Sequence, residues 1–427
     1  MSTPTFGYSW IAAFFVTIAC GDPSGGNGPD APLPSDAGDV AVDAPPPVAA
    51  CALPDKPHLP VSMFGAVGDG VTDDTDALQA ALDAVRGGGV LELAAGHTYL
   101  ISGPLASVDA EELGIAGNGA TLKVADGTPT NARFLFGNCE RCVVRDLVYD
   151  GNRANRTPAE ASGAHALAIY GGRDFAFCGV TVLNATCDGF YLAARDSTDP
   201  STYPTRGVFH DSSSFNAYRQ GMSIINANDV QVLGGEYSGT NGTAPSAGID
   251  LEPNDGSASP GINDVLIRGV RFANNDGAGV TGGGSVRINR ITIEDSVFVG
   301  NARRGGPGFR AGFRFGYMNS LVQRNTFMDH GPTTESGVVI FRGSADTHHG
   351  VFRENTIVGN TTDGPAIEIG GTGPEMFIVD NITSNNLDNQ IHTHGVTTAC
   401  LAGNMVATAF DAPPGTCGTL PVVGYAP

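Results

Sequence analysis

From about residue 164 onward the chain repeats a small residue followed by alternating apolar and polar positions, the pattern of a half-buried strand. The unit reads Asp188-Gly189-Phe190-Tyr191-Leu192, then Gln220-Gly221-Met222-Ser223-Ile224, then Ala247-Gly248-Ile249-Asp250-Leu251. It returns at Gly279, Gly312 and Gly337, with weaker copies at Ala366-Ile367-Glu368-Ile369, Gln390-Ile391-His392 and His165-Ala166-Leu167-Ala168-Ile169. Eight steps over 224 residues give about 28 residues per step. Between copies lies a second apolar run and an Asn-bearing turn, as in Val265-Leu266-Ile267 with Asn274, Ile291-Thr292-Ile293 with Asn301, and Phe352 with Asn355. Strand-turn-strand units of this length predict the coils of a parallel β-helix, with aliphatics inside and Asn side chains bonded between coils. A β-propeller needs a longer period, of about 40 to 45 residues.

Composition narrows the picture. Only 16% of residues are charged, and 60 glycines and 27 prolines punctuate 427 residues, so a coiled coil or helical bundle is excluded. The formal charge of −21 excludes a nucleic-acid partner, which needs a basic face. Lys56 and Lys123 are the only lysines, so cationic chemistry falls to Arg and His.

The N-terminal region reads as an export signal and a linker. Trp10 to Ala19 is a ten-residue apolar run, too short to span a bilayer. It ends at Thr17-Ile18-Ala19-Cys20, which resembles the lipobox of bacterial lipoproteins; the resemblance implies lipidation of Cys20 and contact with a membrane through that anchor alone. Residues 21–57 are rich in Pro, Gly and Asp and read as a disordered linker, leaving 58–427 as a single, monomeric domain with a tail over 400–427. Cysteine usage fits an exported, envelope or extracellular protein: Cys139/Cys142, Cys178/Cys187 and Cys400/Cys417 predict local disulfides, with Cys51 left over. A four-thiolate zinc site from Cys139, Cys142, Cys178 and Cys187 has the wrong second spacing.

The segment Met63-Phe64-Gly65-Ala66-Val67-Gly68-Asp69-Gly70-Val71-Thr72-Asp73-Asp74-Thr75-Asp76-Ala77-Leu78-Gln79-Ala80-Ala81 resembles the opening signature of the pectate-lyase-3 superfamily. The resemblance implies an all-β, right-handed parallel β-helix, and the repeats extend it over about residues 61–410. An Asp/Thr-capped helix from about Asp74 to Val85 is expected to cover the open end of the solenoid, within a cap region over 61–100. The acids at 69, 73, 74 and 76 lack the central Gly and terminal Glu of an EF-hand loop.

Strand alternation puts Tyr191, Ser223, Asp250, Thr281, Arg314, Val339, Glu368 and His392 in one outward column. Asp250 and Glu252 then share a face, with Asp188 and Arg219 beside them and Gly283 and Gly316 leaving room. Asp250, Glu252, Asp188 and Arg219 are the catalytic candidates; Tyr191, Ser223 and Arg314 are the substrate-binding ones. Two carboxyl groups on a polysaccharide permit hydrolysis by acid and base. They also permit β-elimination, with Ca²⁺ held by Asp250 and Glu252. His165 and His392 read as surface residues, and His348-His349 as a turn. Tyr149-Asp150-Gly151-Asn152 resembles a stretch of mannuronan C5-epimerases, whose Tyr-Gly-Phe-Asp-Pro-His run is matched here by Asp188-Gly189-Phe190-Tyr191-Leu192-Ala193 and whose next catalytic His falls at Gln220. An epimerase is therefore the third reading, behind a polysaccharide lyase or glycoside hydrolase and behind a non-catalytic glycan-binding or adhesion scaffold.

Overall fold

The computed structural model describes residues 49–129, 132–156, 165–253, 261–282, 288–304, 312–315, 319–331, 338–343, 350–361, 364–371, 376–388, 390–392, 399–406 and 424–425. Cys20, Gly283, Gly316, His348, His349 and Cys417 lie outside the described residues.

Every paired strand runs parallel to its partner, and successive coils stack three faces. The first face is an eleven-stranded sheet from Leu105–Val108 to Ile391–His392. The second and third faces belong to one 24-stranded sheet, because Leu113–Val124 and Val143–Asp150 run unbroken round the corner between them. A representative coil is Phe190–Ala193, Thr205–His210 and Ser213–Phe215.

The repeat glycine has a steric cause. A Cβ on Gly221 would lie 2.5 Å from the carbonyl oxygen of Gly248, and one on Gly248 would meet that of Gly279 at 2.5 Å. The coils approach too closely there for any side chain. Inside, Phe272, Phe298 and Phe327 stack with centroids 4.7 and 4.5 Å apart and join one continuous apolar core.

Corners between the second and third faces turn on left-handed residues, among them Gly179, Gly234, Gly269, Asp295, Arg324, Glu354 and Asp380. The residue that follows is Asn in the later coils, and the amides stack: Asn325 Nδ2 donates to Asn355 Oδ1 at 3.0 Å, Asn355 to Asn381 at 3.1 Å and Asn381 to Asn404 at 2.9 Å. A second ladder follows the third face through Asn275, Asn301, His330, Asn360 and Asn386. Asn301 and Asn355 thus fill the expected role. Asn274 instead takes the left-handed turn, and its neighbour Asn275 supplies the amide.

An α-helix, Thr75–Val85, buries Leu78, Ala81, Leu82 and Val85 at helical spacing against the first coils. The acids before it are occupied locally. Asp74 accepts from the backbone of Val67 and Gly68, and Asp69 from Val71 and Thr72.

The cysteine pairing needs correction. Cys139–Cys142 is bonded, but Cys178 bonds Cys51 rather than Cys187. Cys51 is thus paired, not left over, and Cys187 is buried with its thiol beside Asp188. Cys400 is disulfide-bonded. The Cys51 bridge also carries the body back to Ala49, ahead of the boundary at 58. Ala50, Cys51 and Leu53, with Tyr425, cover an outward apolar patch of Val143, Ala176, Val208, Leu233 and Leu266 on the second face.

Candidate active site

Register on the first face aligns Tyr191, Ser223, Asp250, Thr281 and Arg314 across five neighbouring strands, as alternation requires. Their neighbours Phe190, Met222, Ile249, Val280 and Phe313 fill the core. The next coil breaks the expected column. Arg314 pairs with Ile340, not Val339, because Val338-Val339-Ile340-Phe341 is apolar throughout and offers no alternation to fix the count.

Outward does not mean exposed here. Asp250 keeps 4% of its surface and Ser223 none, while Arg314 is exposed and Tyr191 partly so. Ser223, expected to bind substrate, is engaged inside the cluster: its hydroxyl donates to Asp188 Oδ2 at 3.1 Å and holds that carboxylate in place.

The four catalytic candidates meet in one cluster. Arg219 reaches Glu252 Oε2 at 2.6 Å and Asp188 Oδ2 at 3.5 Å. Burial would lower the Arg219 pKa, but Asp188 and Glu252 outweigh it and raise it. Burial would likewise raise the carboxyl of Asp188, yet Arg219, His165 and Ser223 hold it below the usual carboxylate range. Asp250 differs. Burial, reinforced by the Glu252 charge, pushes its carboxyl well above that range and so favours the protonated form. The hydrogen bonds distinguish its two oxygens. Gln220 Oε1 accepts from Ala247 N–H at 2.7 Å, so its amide nitrogen faces Asp250 and donates to Oδ2 at 2.8 Å. When Asp250 is protonated, the proton sits on Oδ1.

Three members escape the strand column. His165, expected at the surface, is buried with Nδ1 2.9 Å from Asp188 Oδ2, and its ring stacks on Tyr191 at 3.7 Å. Gln220 and Cys187 are the other two. The signal was available: His165, Asp188 and Gln220 each stand immediately before the small residue of their repeat. His392 lies far along the first face, in its last strand, half-buried beside Gln390.

Calcium fits poorly between Asp250 and Glu252. The ion takes six to eight oxygen ligands, whereas Asp250 is buried with its pKa pushed upward and Glu252 already holds a guanidinium.

This fold and its matches define the class: a right-handed parallel β-helix of the pectate-lyase-like superfamily. Residues 59–139 match the family described as rhamnogalacturonase A/epimerase, pectate lyase-like. Among curated proteins, the chain is 32% identical over 255 residues to mannuronan C5-epimerase AlgE1 of Azotobacter vinelandii, covering 52% of this chain and 18% of that protein. It is 37% identical over 125 residues to alginate lyase 7 of the same organism, covering 26% and 14%. The chain thus spans less than a fifth of either relative. In structure it resembles the A-module of the Azotobacter vinelandii mannuronan C-5 epimerase AlgE6, with a TM-score of 0.58 and 19% identity over 83% of this chain and 99% of that one.

Proposed function

We propose that this protein is a polysaccharide-acting enzyme that hydrolyses glycosidic bonds of an acidic polysaccharide, with Asp250 as acid and Glu252 as base. One observation carries the reading: a buried carboxyl, whose pKa burial and the Glu252 charge push upward, stands two residues from a carboxyl group paired with Arg219. Asp250 gives its proton to the glycosidic oxygen as the bond to the anomeric carbon breaks. Glu252 takes a proton from the water whose oxygen bonds that carbon from the opposite side. An inverting hydrolase holds its two carboxyl groups about 6.5–9.5 Å apart, which leaves room for that water.

Proton-transfer groups separate hydrolysis from elimination and epimerisation. The hydrolytic transition state is positive at the sugar ring, where the carboxylates of Asp188 and Glu252 favour it. Abstraction of a proton next to a uronate builds negative charge instead and needs a base placed to take that proton. Gln220, with its amide held between Ala247 and Asp250, cannot move a proton as a histidine would. The uronan class comes from the relatives' names, mannuronan epimerase and alginate lyase, and Arg314 offers a cation at the rim. Those names also keep a second reading, elimination or epimerisation of a uronan.

Digestion of a panel of uronate and neutral glycans tests the assignment. Saturated reducing ends, released in the presence of chelator, are expected. Unsaturated products that require calcium would establish a lyase, C5 inversion without cleavage an epimerase, and binding without turnover a scaffold. Export through the N-terminal segment, a lipid anchor at Cys20, a monomeric state and a capping role for the Thr75–Val85 helix complete the proposal. Radiolabelled fatty-acid incorporation that survives Cys20→Ala would remove the anchor.

A further inference from the structure

We propose that His165, Cys187 and Asp188 form a binding site for a soft divalent cation of the zinc class. The three side chains bring imidazole nitrogen, thiol sulfur and carboxylate oxygen within 4.8 Å of one another, and all three are buried. Nδ1 of His165, buried and without an aligned hydrogen bond, is aimed into the cluster with Asp188 Oδ2 2.9 Å away. Cys187 Sγ stands 3.9 Å from Asp188 Oδ1. Zinc bonds of about 2.0–2.3 Å place tetrahedral donors roughly 3.3–3.6 Å apart, within the span observed.

Donor type selects the ion. A thiolate with an imidazole suits zinc, copper or cobalt and rejects calcium and magnesium. Disulfides occupy Cys51, Cys139, Cys142, Cys178 and Cys400, so among the described residues Cys187 is the cysteine with a thiol to offer. Charge also closes. A thiolate and the carboxylates of Asp188 and Glu252 balance a divalent ion and Arg219. Arg219 keeps its shorter contact, 2.6 Å to Glu252, when the ion takes over its 3.5 Å contact with Asp188. Tyr191 stacks on the His165 ring and covers that side of the cluster.

Cobalt(II) and zinc titrations of the full, oxidised chain test this without reference to any enzymatic activity. One equivalent of cobalt should give tetrahedral absorption and a thiolate-to-metal charge-transfer band, which zinc then displaces. Cys187→Ser should abolish the band, and both it and His165→Gln should weaken cobalt binding by more than about a hundredfold, beyond the loss typical of an outer-shell partner. A band that persists in Cys187→Ser, or no stoichiometric band in the parent chain, overturns the site. Should either variant fold poorly, the parent chain still decides. Zinc is expected to block alkylation of Cys187, read by peptide mass after mild warming, and unchanged labelling would refute the proposal.

Discussion

The corner ladders and the first-face cluster solve the same packing problem in opposite ways. Both stack polar side chains between coils, out of water. The ladder repeats one neutral amide: Asn355 accepts from the Asn325 backbone and donates to Asn381 and to the carbonyls of Val322 and Arg353, leaving nothing unpaired. The cluster around Asp188 uses unlike groups: paired charges, an acid whose pKa burial pushes up and an imidazole nitrogen without an aligned hydrogen bond. A repeated neutral group makes structure. An unrepeated, incompletely compensated set stores reactivity.

That contrast breaks most severely at the acids. Asp250→Asn keeps shape and the Gln220 contact but removes the proton, so turnover should fall by at least about a hundredfold while the unfolding midpoint stays put. Glu252→Gln should cost turnover similarly; full activity in both, assayed on a glycan the parent cleaves, would move the site elsewhere. Asn355→Ala should do the reverse. It strands several buried backbone groups at about 1–3 kcal/mol each, lowering stability in urea titration by roughly 3 kcal/mol with the catalytic constant unchanged in the surviving native fraction.

His330 sharpens the comparison because it sits inside a ladder. Its Nδ1 accepts from Asn301 N–H at 2.9 Å, while Nε2 is buried with no partner among the described residues. Burial lowers its pKa to about 4. The folded state therefore binds fewer protons than the unfolded one between pH 6.5 and 4, and stability must fall as pH drops through that window. The loss should be roughly 2 kcal/mol between pH 7 and pH 5, seen by thermal melts, and His330→Asn should flatten it. Equal slopes in both proteins would assign the pH dependence to other groups. Ser223→Ala, which removes one bond to Asp188, is expected to cost only about 1 kcal/mol of stability with a modest loss of rate.

Coils and glycines were legible from sequence because close approach permits little else at Gly221 or Gly248. The acid pair and Arg219 were legible because strand alternation carries over to one face. His165 was not, since it precedes its strand and belongs to a turn column that strand periodicity does not index. The Cys51–Cys178 bond was hidden for a different reason: coil stacking, not chain proximity, brings the two cysteines together. Register slipped by one at Ile340 because an unbroken apolar run carries no phase information.

That same bond has a mechanical consequence. Tension arriving along the chain from the N-terminal side meets Cys51 and passes covalently into Cys178, 127 residues further on. The intervening coils lie inside a closed loop and bear none of the load. Force enters the solenoid on its second face, and the strands that would otherwise peel first, at the open N-terminal end, are bypassed. A protein held by its N-terminus in a flowing or shearing medium would therefore keep its first coils and its helix folded while the load passes through the body.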